Sequence, residues 1–188
     1  MKGEFFMKFA CLLADRFEDI EALGTVAILR RAGIEVDFVA AENHDIVAGF
    51  FGTKVVCDRM MKDVESSGYD GLFVPGGAAV PTLRSLSSVT RLVKAFAAEK
   101  KILAAICAGP TVLGALGLLD GVRYTSFPGT ESFMPKGIRV AASSVVDGKI
   151  VTGAGAGCVM EFAYDVVSLA LGNAKSLEIQ KRMQYHVF

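Results

Sequence analysis

The stretch from Ile102 to Gly114, Ile-Leu-Ala-Ala-Ile-Cys-Ala-Gly-Pro-Thr-Val-Leu-Gly, restricts the possible folds more than any other part of the chain. Ile102 to Ile106 is an unbroken apolar run of the length expected for a strand buried on both faces. Cys107 ends it. Ala108 and Gly109 then permit a sharp turn, and Pro110 suits the first turn of a helix, where its missing N–H costs nothing. The spacing predicts a helix continuing from Thr111 to Leu119. Strand, tight turn and helix with a nucleophilic side chain at the turn is the arrangement called a nucleophile elbow. Free N–H groups at the helix start favour a thiolate, so Cys107 is expected to be accessible and acidic.

The rest of the chain supplies partners for that strand. Phe9 to Leu13 reads as a first strand, Asp15 to Asp19 as a polar loop, and Ile20 to Arg31 as a helix ended by Gly33. Glu35 to Ala40 is a second strand, which completes a βαβ unit and makes the sheet parallel. Asp45 to Asp58 has the turn glycines of a hairpin excursion, and Lys62 to Ser67 suits one or two helical turns. Tyr69 to Val74 is another buried strand that stops at Pro75-Gly76-Gly77. Ser87 to Lys100 carries Val89, Leu92, Val93 and Phe96 at helical spacing. Arg123 to Phe127 reads as a short strand, Val140 to Val146 and Lys149 to Thr152 as a hairpin about Asp147-Gly148, and the C-terminal part as helices from about Cys158 to Leu171 and Ala174 to Gln184.

Alternating strands and helices give an α/β fold: a doubly wound, mostly parallel sheet with helices on both faces, in a single domain over residues 1–188. The 52% hydrophobic content suits central strands covered on both sides. In such folds ligands bind above the carboxyl ends of strands. Cys107, Gly76-Gly77 and the loop after the first strand all lie at such ends.

Charge and cysteine usage exclude several classes. Lys plus Arg and Asp plus Glu both number 20, so no net charge draws the chain to nucleic acid. The uncharged run from Ile102 to Leu119 contains Gly109, Pro110, Gly114 and Gly117 and is better explained as strand, elbow and helix than as a membrane span. Lys2, Glu4 and Lys8 leave too short an apolar segment for a signal peptide, and a cytoplasmic location is expected. Cys11, Cys57, Cys107 and Cys158 form no Cys-x-x-Cys pair, so neither zinc nor any other metal is expected. Gly153 to Gly157 lacks the G-x-G-x-x-G spacing of a dinucleotide site and reads as a strand-to-helix turn.

A reactive thiol needs a group that controls its proton. Only two histidines exist, His44 and His186, both in polar or terminal positions, so a carboxyl is the better candidate. Glu18, Asp19 and Glu21 open the first helix, where acids also simply complement the helix dipole. Gly76-Gly77 can turn backbone N–H groups toward a ligand without side-chain obstruction. Cys11 and Cys57 read as core or rim residues and Cys158 as a packing or capping residue.

Leu13-Ala14-Asp15-Arg16-Phe17-Glu18-Asp19-Ile20-Glu21, Arg30-Arg31-Ala32-Gly33-Ile34, Val74-Pro75-Gly76-Gly77, Ala104-Ala105-Ile106-Cys107-Ala108-Gly109-Pro110 and Glu161-Phe162-Ala163 together resemble the ThiJ/PfpI superfamily, in the branch of the Parkinson-disease protein deglycase and its bacterial relatives. The resemblance covers nearly the whole chain and implies a flavodoxin-like homodimer. It further implies Cys107 as nucleophile and oxidation-sensitive thiol, Glu21 as its proton-sharing acid, and the N–H groups of Gly77 and Ala108 as an oxyanion pocket. Gly76 and Phe127 would contact substrate. Many relatives carry histidine where this chain has Phe127, which removes a histidine base, and Gly155-Ala156-Gly157-Cys158 replaces their Gly-Pro-Gly-Thr.

The implied activity is a glyoxalase or deglycase without cofactor, acting on methylglyoxal, glyoxal or their adducts. The alternative is an oxidative-stress sensor or redox-regulated chaperone, because both uses need an accessible thiol beside a carboxyl. Amidotransferase or peptidase chemistry would require a Cys–His pair.

Overall fold

The computed structural model describes residues 7–185; the expectation for His186 lies outside them. In chain order the strands and helices are β1 (Lys8–Leu13), α1 (Asp19–Arg31), β2 (Glu35–Ala40), β3 (Ile46–Ala48), β4 (Lys54–Val56), β5 (Arg59–Met60), β6 (Gly71–Val74), α2 (Val80–Ser85), α3 (Ser87–Ala98), β7 (Ile102–Ile106), α4 (Pro110–Gly114), β8 (Arg123–Tyr124), β9 (Ile138–Arg139), β10 (Ser144–Asp147), β11 (Ile150–Gly153), α5 (Val159–Leu171) and α6 (Asn173–Arg182).

Seven strands form one sheet in the order β10-β11-β7-β6-β1-β2-β5. All neighbours are parallel except the β10–β11 hairpin. Every residue of β6 and β7 is buried, as parallel strands covered on both faces require. Helices α1 and α5 pack together beside α6, while α2, α3 and α4 form a second group; α3 and α5 both reach β7. The fold is therefore the expected α/β architecture. Its core runs through Phe9, Leu12, Leu13, Leu72, Phe73 and Ile106 of the sheet into Phe96 and Phe162 of the helices.

Helix α1 shows why local sequence suffices there. Glu18 is extended at the N-cap and accepts the Glu21 N–H at 2.7 Å, acids occupy the first turn, and Arg30 and Arg31 occupy the last. The chain then reverses at Gly33, whose φ of 91° strongly favours glycine.

Three expectations need correction. The helix after Cys107 stops at Gly114 rather than Leu119: a Cβ at Gly114 would lie 2.6 Å from Phe133 O, and Gly117 turns the chain at φ 74°. The strand expected over 123–127 ends at Tyr124. Beyond it the Thr125 N–H donates to Thr152 Oγ1 and its hydroxyl to Ala142 O, so side chains take over from the ladder. The strand expected from Val140 begins only at Ser144, after a turn in which the Ala142 N–H donates to Val140 O. Helix α2 has no counterpart in the sequence reading, although Pro81 in its first turn and buried Val80 and Leu83 mark it. Among the described residues no helix is long and apolar enough to cross a membrane.

Candidate active site

β7 delivers Cys107 to the carboxyl edge of the sheet, and the Cys107 N–H donates to Gly153 O on β11 at 2.9 Å. The residue is then forced to φ 62°, an uncommon conformation for a side chain with a Cβ. Gly109 closes the turn by donating its N–H to Ile106 O, and its backbone presses so closely on Val74 O that no side chain fits. These are the features of an elbow.

The loop after β6 fits against it. A Cβ at Gly76 would lie 2.6 Å from Glu21 Oε2 and 2.7 Å from Cys107 Cβ, so only glycine can stand between the acid and the thiol-bearing residue. Gly76 donates its N–H to Glu21 Oε2 at 2.8 Å and accepts the Glu18 N–H at 3.1 Å. Gly77 follows at φ 93°, with Glu18 N only 2.5 Å from where a Cβ would be. Buried Phe17 bridges to both Gly77 and Gly49, tying this loop to the β3–β4 hairpin.

Glu21 is fully buried, with its carboxyl shared between the Gly76 N–H and the Cys107 thiol. Burial raises its carboxyl from 4.5 to about 7, opposed by Cys107 and the Gly76 N–H and reinforced by the charge of Glu18. The Cys107 thiol is likewise pushed up to about 12, first by burial and then by the charge and hydrogen bonding of Glu21. The N–H groups of Ala108 and Gly77 pull the other way. Burial and the neighbouring carboxylate thus work against the acidity expected from the turn, and the N–H groups of Ala108 and Gly77 work for it. Cys57 is also raised to about 12 and Cys11 is raised by complete burial, so acidity does not single out Cys107. The opposed N–H pair and the adjacent carboxyl do.

Five of the six residues proposed from sequence converge: Cys107, Glu21, Gly76, Gly77 and Ala108. Phe127 sits beside them through its backbone, whose N–H donates to Cys107 O at 2.9 Å. The residue is 53% exposed, with its ring near Gly155. The neighbouring acids have other duties. Glu18 caps α1, and Asp19 accepts the N–H groups of Phe51 and Thr53 at 3.0 and 3.2 Å. Burial works against the charge of Asp19, but Thr53 and Phe51 hold its carboxyl below the ordinary range.

A further support was not evident in the sequence. Buried Thr111 donates its hydroxyl to Ala108 O at 2.7 Å and accepts Arg84 Nη1 at 3.0 Å, while the Arg84 guanidinium lies 3.8 Å from the Phe133 ring centre. Arg84 belongs to α2, the helix absent from the sequence reading, so nothing marked it.

The DJ-1/PfpI family matches residues 7–169, which include the elbow, the double glycine and Glu21. The chain belongs to the DJ-1/PfpI family. It is 34% identical over 169 residues to protein DJ-1 homolog B of Arabidopsis thaliana, covering 86% of this chain and 38% of that one. It is 35% identical over 148 residues to a deglycase of Pyrococcus abyssi, covering 78% of this chain and 89% of the relative. The chain spans less than half the length of the Arabidopsis relatives it matches. The solved structure of oxidized Toxoplasma gondii DJ-1 superposes with a TM-score of 0.91 at 31% identity, covering 96% of this chain and 99% of that one. The DJ-1 fold and the architecture described above therefore agree.

Proposed function

We propose that this DJ-1/PfpI protein is a cysteine-dependent glyoxalase or deglycase acting on methylglyoxal, glyoxal or their adducts without a cofactor. The observation that carries this reading is the placement of Cys107 beside the buried carboxyl of Glu21, whose proton affinity burial raises toward neutral pH. A group with that affinity can both take and return a proton near neutral pH.

With methylglyoxal, the Cys107 sulfur adds to the aldehyde carbon, its thiol proton passes to Glu21, and the N–H groups of Gly77 and Ala108 receive the developing oxyanion. Protonation of that oxygen gives a hemithioacetal. Transfer of the C1 proton to C2 through Glu21, with the C1 hydroxyl proton passing to the C2 oxygen, turns it into a hydroxyacyl thioester. Water then cleaves the thioester, releasing lactate and restoring the thiol. Phe127 supplies an apolar rim and no base. Homologues named deglycase, including that of Pyrococcus abyssi, support the reaction class.

The test is methylglyoxal consumption with lactate formation, without glutathione, by the reduced protein and by Cys107→Ser, Glu21→Gln, Cys57→Ser and Cys158→Ser. Activity is expected to vanish in the first, to fall by about 10²-fold or more in the second, and to persist in the last two. Retained turnover in Cys107→Ser overturns the assignment.

The second reading is an oxidation sensor. The Glu21 carboxyl and the two N–H groups facing Cys107 are the contacts that an oxidised sulfur would use. Absence of turnover in a protein whose Cys107 still reacts with peroxide favours it.

We further assign a homodimer and a cytoplasmic site of action. Ile20, Gly24, Ala27, Val159 and Met160 line one apolar hollow, with Ile20 and Met160 substantially exposed, and a second copy would cover it. The four cysteines are free, as they remain in a reducing compartment.

A further inference from the structure

Apart from the thiol site, one group of side chains has the composition of a metal centre. Asp15, Glu42 and His44 each bring a ligand atom to a place where all three atoms lie within 4.8 Å of one another. Topology makes them meet. Leu13 and Ala40 are register partners at the ends of parallel strands β1 and β2, and Asp15 and Glu42 each stand two residues further on. His44 follows on the same loop.

The orientation of the two carboxylates is fixed from behind. Asp15 Oδ1 accepts the Ala48 N–H at 2.9 Å, and Glu42 Oε2 accepts the Asp15 N–H at 3.0 Å. Asp15 Oδ2 and Glu42 Oε1 remain for a further partner. His44 Nε2 already lies 3.4 Å from Asp15 Oδ2, close to the ~3.3 Å separating two ligands on a tetrahedral zinc ion. Among the described residues no lysine or arginine forms an ion pair with either carboxylate. Two anions thus share one imidazole and no permanent cation.

We propose that Asp15, Glu42 and His44 bind one zinc ion, with water completing its shell. A neutral imidazole and two carboxylates are ligands suited to Zn²⁺; Ca²⁺ and Mg²⁺ prefer oxygen donors alone. The site shares no residue with the Cys107 constellation and stands whether or not the chain is a glyoxalase. Asp15 also joins β1 to the β3–β4 hairpin through Ala48, so an ion held there braces the hairpin against the sheet.

The experiment is zinc titration of the full chain carrying Cys107→Ser, which removes the elbow thiol as a competing ligand. The chain has only two histidines, so its imidazole NMR signals report each individually. The His44 signals are expected to shift and saturate at one equivalent of Zn²⁺. In Asp15→Asn, which keeps the acceptor for Ala48 and loses the charge, affinity should weaken about tenfold or more, with the metal-free fold unchanged by circular dichroism. Magnesium at the same concentration should leave the His44 signals in place. A His44 signal that zinc does not move, or equal zinc affinity with and without Asp15→Asn, overturns the proposal.

Discussion

Glu21 Oε2 accepts the backbone N–H of Gly76 at 2.8 Å, a bond made across 55 residues of sequence. The acid of α1 and the loop beside Cys107 are thereby held as one unit, with no space for a side chain between them. Gly76→Ala would set a methyl 2.6 Å from that oxygen and 2.7 Å from Cys107 Cβ. Because 1 Å of misplacement can cost ~10²-fold in rate, turnover or peroxide reactivity of Cys107 should fall by about that factor in this variant. Near-wild-type reactivity in a folded Gly76→Ala protein would contradict the tight approach.

The pH dependence of thiol reactivity tests the pairing directly. Burial and then Glu21 hold the Cys107 thiol at about 12, so alkylation by iodoacetamide should be slow at neutral pH and still rising in the alkaline range. Glu21→Gln removes a negative charge and should move the alkylation midpoint to lower pH. A midpoint that stays fixed or rises would show that Glu21 does not act on the sulfur.

Stability should respond to the same carboxyl. Its folded-state value of about 7 lies above the ordinary 4.5, so the folded protein binds this proton more tightly than the unfolded chain does. The contribution is full below about pH 4.5 and disappears as pH rises through about 7. A shift of that size corresponds to roughly 3 kcal/mol. Glu21→Gln, which can still accept the Gly76 N–H, should therefore gain melting temperature relative to wild type at pH 8.5 and not at pH 4.5. An equal difference at both values would refute the buried-acid account.

Asp19 anchors the β3–β4 hairpin through Phe51 and Thr53. Asp19→Ala leaves both N–H groups without their acceptor and should cost about 2–3 kcal/mol in urea unfolding. Amide exchange at residues 51 and 53 should accelerate while β6 and β7 stay protected. Unchanged exchange at those two amides would remove the anchor role.

The apolar hollow between α1 and α5 predicts the assembly. Ile20→Glu, which places a charge on an exposed side chain, should shift the protein from dimer to monomer in light scattering while its helical content holds. A dimer that survives this change does not use the hollow.

Short-range chemistry explains which elements could be read without coordinates. Glu35–Ala40 and Ile102–Ile106 have the predicted bounds: the first alternates polar and apolar residues before Val39, and the second is an unbroken apolar run between Lys101 and the Cys107 turn. Thr111 to Leu119 looks helical in isolation; contact of Gly114 with the Phe133–Met134 segment ends it, and that segment lies far along the chain. The burial that opposes the acidity of Cys107 was hidden for a related reason. The helix start is visible in sequence, whereas complete burial of Glu21 alongside it depends on how α1 meets the β6 loop. The strand-to-helix turn marked Cys107 and the double glycine marked Gly76, while Glu21, Gly77 and Ala108 came through the family resemblance; Arg84 and Thr111 touch the elbow through distant contacts that no spacing announces.

Phe17, buried between Gly49 and Gly77, pins two loops of the site to each other. So small a substrate as a three-carbon aldehyde makes few contacts, and each non-hydrogen atom can contribute at most about 1.5 kcal/mol of binding. Little of that would remain to organise a mobile cleft. By holding its loops together beforehand, the protein would relieve an aldehyde substrate of the proposed reaction of that cost, and recognition would become a matter of fitting a finished mould.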